Sequence, residues 1–327
     1  MRFIKIIFPF ILMIIIGFIS FNAFKKAKSV TNNPLSVIPS HASVIIKLNN
    51  TDDVFTLFND KTIWKKLNYI KKISSLNSNL KKLNDFYTNY QIDNNNSLFI
   101  SFLKDGINSN GFLLSTELDQ ESLKKIKNIF AIQNLKTFKY DNIDIYTISN
   151  DSLNIFLANV NNIICLSSSR TIVEDAIKSF NSEYNFINNE RFLKIYNTTK
   201  NSNDVNVIYN LNNLNKAIKT TQLDDVKLLN NLSDWVASDL KIKDEKIILN
   251  GFNLINYKLS EYADIISNQE PKNININKII PENINYLFSL GFDNIKKLYK
   301  NNNKLQEKNN KIWEIEKFKT KIQKEYK

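Results

Sequence analysis

The side chains able to do chemistry are few and scattered along this chain of 327 residues. His41 is the single histidine and Cys165 the single cysteine. A Ser-His-Asp triad or a Cys-His pair would have to use His41. That residue stands before an apolar run, with Ser40 and Ser43 beside it. Neighbours in a turn rarely face one another, so His41 reads as an ordinary turn residue. Zinc needs several Cys or His ligands, and the two present are far apart. Carboxylates pair at Asp52-Asp53, at Asp224-Asp225, and at Asp141 with Asp144. Such pairs can carry acid–base work or hold a hard cation, but each also stands where Asp belongs in a turn or at a helix start. The five glycines, Gly17, Gly106, Gly111, Gly251 and Gly291, make neither GxGxxG nor a P-loop, which argues against nucleotide enzymes of the usual kinds. The expectation is a chain with no catalytic, cofactor-binding or metal-binding residues, and so not an enzyme.

The remaining reactive groups read as structural. Cys165 lies in Ile163-Ile164-Cys165-Leu166 and is expected to be a small core residue. With one cysteine no intramolecular disulfide forms, and the compartment stays open. The net charge is +12 and the pI about 9.4. That balance permits an anionic partner, although lysines spread along a chain more commonly make a solvated surface. Lys61, Lys65, Lys66, Lys71, Lys72, Lys81 and Lys82 fall near Trp64 and Tyr69. On a helix the stripe of Ile63, Leu67 and Ile70 would point inward and these lysines outward, so nucleic acid is not an expected partner. The heavy use of Asn, Lys and Ile reads as the codon bias of an AT-rich genome.

The elements that must position these groups follow from periodicity. Strands are expected at Ser43–Leu48, Ser97–Leu103, Gly111–Ser115, Ile143–Ser149, Leu153–Asn159, Asn162–Ser167, Val205–Leu211, Val236–Lys243 and Lys246–Leu254. The last two flank Asp244-Glu245 as a hairpin. Helices are expected on the Ile63 stripe, on Leu76, Leu80, Leu83 and Tyr90, from Glu121 to Phe130, and from Thr171 to Phe180. Thr171 has Glu174 three residues on, the capping-box spacing. Runs of strands with helices between them imply an α+β fold with a mostly antiparallel sheet and helices packed on it. The central connections are too short for parallel crossovers.

Between Lys5 and Lys25 no residue is charged. Ile6 to Phe24 would form a helix roughly 28 Å long, about one hydrocarbon core. The reading is a single-pass transmembrane anchor over residues 1–28, through which the lipid bilayer is a partner. A cleaved signal peptide is the rival, but Phe21 and Lys25 spoil the small-residue cleavage sites at Ala23 and Ala27. Arg2 and Lys5 before the span nearly balance Lys25, Lys26 and Lys28 after it, and the N-terminus is placed inside. A polar linker over residues 29–36 should lead to an extracytoplasmic, periplasmic-side α+β domain over 37–278. Residues 37–48 and 279–290 both read apolar, Ile-Pro, polar turn, strand, so 279–327 is expected to begin a second repeat-like unit. Its C-terminal helix, from about Lys304 to Lys327, would carry a stripe of Leu305, Ile312, Ile315, Ile322 and Tyr326.

The segments IPSHASVIIKLNN (38–50), VFTLFNDKTIWKKL (54–67), WVASDLKIKDEKIILNGF (235–252) and IIPENINYLFSLGFDN (279–294) carry a resemblance. With Trp64, Trp235, Asp239-Leu240 and Gly251-Phe252, the chain resembles bacterial envelope proteins of the domain-of-unknown-function 3352 type, found in Bacteroidetes-like genomes. The resemblance implies an N-terminal anchor, an extracytoplasmic α+β domain, longer relatives, and no assigned activity. The expected function is a membrane-anchored binding or scaffolding module of the cell envelope, meeting another envelope protein or an anionic surface. The alternatives are a carboxylate-dependent hydrolase and a lysine-rich domain for anionic lipid.

Overall fold

The computed structural model describes residues 33–49, 96–106, 109–133, 135–150, 153–182, 184–199, 205–218, 233–243, 246–255 and 293–308, with Gln269, Glu270, Lys272 and Gly291 besides. The expected anchor Ile6–Phe24, the helices at residues 63–90, Asp52-Asp53, Asp224-Asp225, the repeat at 279–290 and the helical stripe beyond residue 308 lie outside these. Among the described residues no helix is long and apolar enough to cross a membrane.

Ten strands form one sheet, and every pairing in it is antiparallel. They are β1 (Val44–Leu48), β2 (Leu98–Asp105), β3 (Ser109–Glu117), β4 (Lys136–Tyr140), β5 (Ile143–Asn150), β6 (Leu153–Val160), β7 (Ile163–Ser167), β8 (Val205–Asn210), β9 (Ser233–Ile242) and β10 (Ile247–Ile255). Their order is β10-β9-β8-β1-β2-β3-β7-β6-β5-β4. β1 therefore lies inside the sheet, joining the β2–β3 hairpin to the β8–β9–β10 meander. The helices are α1 (Gln120–Gln133), α2 (Arg170–Asn181), α3 (Glu190–Tyr196), α4 (Leu211–Ile218) and α5 (Ile295–Lys308), with 3-10 turns at Pro34–Val37 and Phe186–Asn188. The expected α+β class with a mostly antiparallel sheet is what the chain adopts.

Local sequence explains the turns. Asp141, Asn142, Asn161 and Asn162 all have positive φ, between 46° and 68°. A two-residue hairpin loop needs left-handed backbone at both positions, and Asn and Asp tolerate it best after glycine. The β4–β5 and β6–β7 connections are thus set by Asp-Asn and Asn-Asn pairs. At the other end, a Cβ on Gly251 would run into the Ala237 carbonyl oxygen, so β10 lies too close to β9 there for any side chain.

Strand alternation sends side chains to two faces. One face gathers Leu35, Ile45, Phe99, Leu113, Ile145, Val160, Cys165, Ile208 and Trp235 under α2, α3 and the two 3-10 turns. The other gathers Leu48, Leu98, Ile100, Leu114, Leu157, Leu166 and Val207 with Leu123 and Ile126 of α1.

Several expectations shift. Leu35 and Ser36, within the stretch expected as linker, are buried, so packing begins at the Pro34 turn. Asn33 caps that turn by accepting from the Leu35 amide at 3.0 Å. α2 is capped at Ser169, not Thr171, and has no side-chain cap bond. Glu174 instead accepts from Arg170 Nε at 2.7 Å, one turn back. Leu211 leaves the expected strand and starts α4, where Asn210 Oδ1 accepts from the Asn213 amide at 3.0 Å. α5 starts at Ile295, before the expected Lys304, with Asn294 Oδ1 accepting from the Lys297 amide at 3.0 Å. β4 and α3 were not foreseen, because KTFKY and ERFLKIY are short and broken by charge.

Candidate functional site

A lysine in the middle of a β-branched run is the local anomaly from which the site grows. β1 reads Val-Ile-Ile-Lys-Leu, and alternation puts Lys47 on the face of Ile45. Lys47 is only 5% exposed. Burial pushes its ammonium below the usual lysine value, because desolvation disfavours the charged form.

Register then brings further polar groups into line. Lys47 is the cross-strand partner of Asn206 on β8, and Asn206 is the partner of Asp239 on β9. Asn206 is fully buried. Its Nδ2 donates to Asp239 Oδ1 at 2.7 Å, and its Oδ1 accepts from Asn49 Nδ2 at 2.9 Å. Both hydrogen-bonding ends of the Asn206 amide are therefore used. That meets the rule that buried polar groups find partners.

Aromatic packing on α3 builds the roof. Phe192 contacts Trp235 edge-on at 5.1 Å and Phe186 at 4.6 Å, and it stacks on Tyr196 at 5.6 Å between ring centroids. The Tyr196 ring is thereby held with Lys47 Nζ 5.3 Å from its centroid, within cation–π range. Burial raises the Tyr196 hydroxyl above its ordinary pKa, so it stays a neutral donor. Arg191 fixes α3 to the sheet through a two-point pair with Asp234, at 2.8 and 2.7 Å. That pair lifts the arginine still higher in pKa, chiefly through the side-chain hydrogen bond.

Beside Tyr196 a cavity of about 340 Å³ opens over Lys47. Asn33, Pro34, Asn96 and Ser97 line it, with Phe99 of β2 and Glu117 of β3. Asn96 Nδ2 donates to the Glu117 carbonyl at 3.1 Å, and Thr116 Oγ1 donates to the Ser97 carbonyl at 3.2 Å. These bonds tie the entry of β2 to the end of β3. Among the described residues the lining holds a lysine, a glutamate, two amides, the Ser97 and Tyr196 hydroxyls and aromatic rings, a composition suited to a small polar ligand.

The residues weighed from sequence fall elsewhere. His41 sits in the turn before β1, its Nε2 3.8 Å from Asp175 Oδ2, with both side chains more than a third exposed. Cys165 is buried, and burial pushes its thiol pKa up, which makes it inert. Asp141 occupies the β4–β5 turn and accepts from Asn181 Nδ2, while Asp144 follows on β5. Neither lines the Lys47 cavity. Among the described residues no group of three or more His, Cys, Asp or Glu could hold a metal ion. Asp239 was legible only as part of the family resemblance. The lysine within SVIIKL and the asparagine within VNVIYN were the signals that could have pointed to the row.

No curated protein and no solved structure matches the chain. The family profile described as "Protein of unknown function (DUF3352)" matches residues 113–326. The matched span runs from β3 through α5 and takes in Glu117, Tyr196, Asn206 and Asp239, with Lys47 before it. It covers more than half of the sequence, and the chain belongs to the DUF3352 family.

Proposed function

We propose that this chain is a non-enzymatic binding module of the cell envelope, anchored by Ile6–Phe24 with its folded part outside the cytoplasm, and that the cavity over Lys47 is its ligand site. The observation that carries the ligand site is Lys47, buried in the sheet yet in the wall of an open cavity, at the head of the polar row Lys47–Asn206–Asp239. Burying a lysine and an amide costs stability unless each is compensated. An apolar row would hold the strands equally well, so the polar groups point to recognition. The anchor reading rests on the uncharged stretch between Lys5 and Lys25.

Two experiments test the reading. Fractionation should leave the full chain in the membrane pellet after alkaline carbonate extraction, and a soluble form starting between Ala23 and Ser29 would mean a cleaved signal. For the cavity, the full chain in detergent is labelled on its backbone amides and screened by NMR against a library of small polar compounds. Shifts should cluster at Asn33, Lys47, Ser97 and Tyr196. Shifts scattered over the surface would remove the site.

A further inference from the structure

We infer that β10 is an interface between two copies of this chain: their β10 strands pair antiparallel about a twofold axis at Asn250 and join two sheets into one. No β10 residue is among those lining the Lys47 cavity, so the dimer and the ligand site stand or fall separately.

The two ends of the sheet are unlike. The sheet runs from β10 to β4, and among the described residues no strand pairs with the outer edge of either. An open edge is a row of free N–H and C=O groups, and chains that stay apart guard it with short strands, lysines or proline. β4 is guarded, since it is short and carries Lys136 and Lys139. β10 is not. Its sequence, IILNGFNLI, holds no charge and no proline. Ile247, Leu249 and Phe252 are 40%, 49% and 64% exposed. A chain of net charge +12 thus keeps one edge neutral and apolar, where a second copy meets no like charge.

The hydrogen-bond phase of the β9–β10 hairpin fixes which groups face outward. Lys243 and Lys246 exchange both backbone hydrogen bonds, at 2.9 and 3.3 Å. Bonded pairs then recur at every second residue of an antiparallel ladder. The register from Ile242↔Ile247 to Trp235↔Leu254 is unbroken, so Ile248, Asn250, Phe252 and Leu254 bond to β9. Ile247, Leu249, Gly251 and Asn253 turn their N–H and C=O groups away from it. Ile255 follows a register shift, and its carbonyl accepts from Arg191 Nη2 at 3.4 Å.

A second β10 laid antiparallel must match outward residues with outward residues. A twofold axis at Asn250 does so for all of them: Ile247 bonds to Asn253 of the second copy, and Leu249 to Gly251. The side chains agree with that register. On one face Asn250 meets its own copy, and two amides can exchange hydrogen bonds. Ile248 meets Phe252 on either side of that pair. On the other face Leu249 meets Gly251, which has no side chain to oppose it. Moving the axis to Gly251 would set Asn250 against Phe252 and call on the Ile255 carbonyl that accepts from Arg191. A partner of unlike sequence would gain the ladder but not this match of the strand with itself. One ladder and a few apolar side chains make less than a standard interface, so the dimer should be weak, with a Kd of ~1–100 μM.

The test is sedimentation equilibrium of the full chain in density-matched detergent. The wild type should dimerise by ~100 μM. Asn250 is exposed, so substitutions there should leave the fold intact. Asn250→Lys and Asn250→Asp should each associate at least ~10-fold more weakly, because like charges then face each other across the axis. An equimolar mixture of the two should recover the dimer, which also shows that both are folded. Under mild oxidation Asn250→Cys should cross-link to itself faster than Phe252→Cys, whose two copies stand out of register. Cys165 is buried and does not compete. A wild type still monomeric at ~100 μM, a dimer unmoved by Asn250→Lys, no recovery in the mixture, or faster cross-linking of Phe252→Cys would each overturn the interface.

Discussion

Two halves of a single row of cross-strand partners make the most instructive contrast in this molecule. Toward β9 the row reads Lys47, Asn206, Asp239. Toward β5 it reads Phe99, Ser115, Cys165, Ala158, Ile145. Both halves lie on one face, with Tyr196 of α3 over Lys47 in the first and α2 and the Pro34 turn over the second. The same geometry therefore supports opposite chemistry. Where α2 presses down, small and apolar side chains fill the space. Beside α3, polar groups are kept inside, and Asn206 is tied to Asp239 and to Asn49. A face selected for stability alone would continue the apolar pattern, so the difference marks where another demand acts.

The largest effect is expected in the apolar half. Ile145 is fully buried, and Ile145→Ala should cost ~2–5 kcal/mol, transfer energy plus an unfilled cavity. Chemical denaturation should show a lower midpoint with an unchanged slope. The same half predicts that the Cys165 thiol does not react with an aromatic disulfide reagent until the protein unfolds, since its pKa is raised by burial. Reaction in the native state would mean that α2 opens readily.

A smaller loss is expected in the polar half. Asn206→Ala removes a donor from Asp239 and an acceptor from Asn49. Losing both bonds at this fully buried position costs ~1–3 kcal/mol. Asn206→Asp should be worse than Asn206→Ala, because it sets a second carboxylate beside Asp239. A more stable aspartate variant would mean that Lys47, the neighbour of Asn206 on the other side, outweighs Asp239 at this position.

How far the sequence showed this in advance differs between the halves. The apolar half was readable, because period-two alternation and Asn-Asp turns are local signals, and β5, β6 and β7 lie where alternation put them. Cys165 was rightly expected in the core. The polar half was not readable, because nothing local links Lys47 to Asn206. They meet through the β1–β8 pairing, between strands distant in sequence, and one lysine in SVIIKL looks like any solvent-facing residue of a half-buried strand. α3 was missed for a related reason. A seven-residue helix with Glu, Arg and Lys in it gives no sustained stripe, and it is held by tertiary contacts, Trp235 on one side and Asp234 on the other.

The smallest effect on stability is expected at Lys47, and its sign sharpens the contrast most. Burial lowers the Lys47 pKa in the folded chain relative to its ordinary value of 10.5. The unfolded chain thus binds this proton more tightly than the folded one, and stability rises with pH across the window between the two values. Below the folded value the cost of burying the ammonium is present in full, and above the unfolded value it is gone. Lys47→Met keeps the length and apolar stem of the side chain and removes that cost. At neutral pH the variant should melt no lower than the wild type, and replacing a buried charge with a hydrophobe of similar volume often stabilises. The difference in Tm should shrink as pH approaches 10.5, because the wild type then loses its penalty while the methionine variant has none to lose. A clear drop in the Tm of Lys47→Met at neutral pH would instead make this ammonium a structural strut of the β1–β8 pairing. The polar half of the row would then be part of the scaffold, and the contrast with the apolar half would say nothing about ligands.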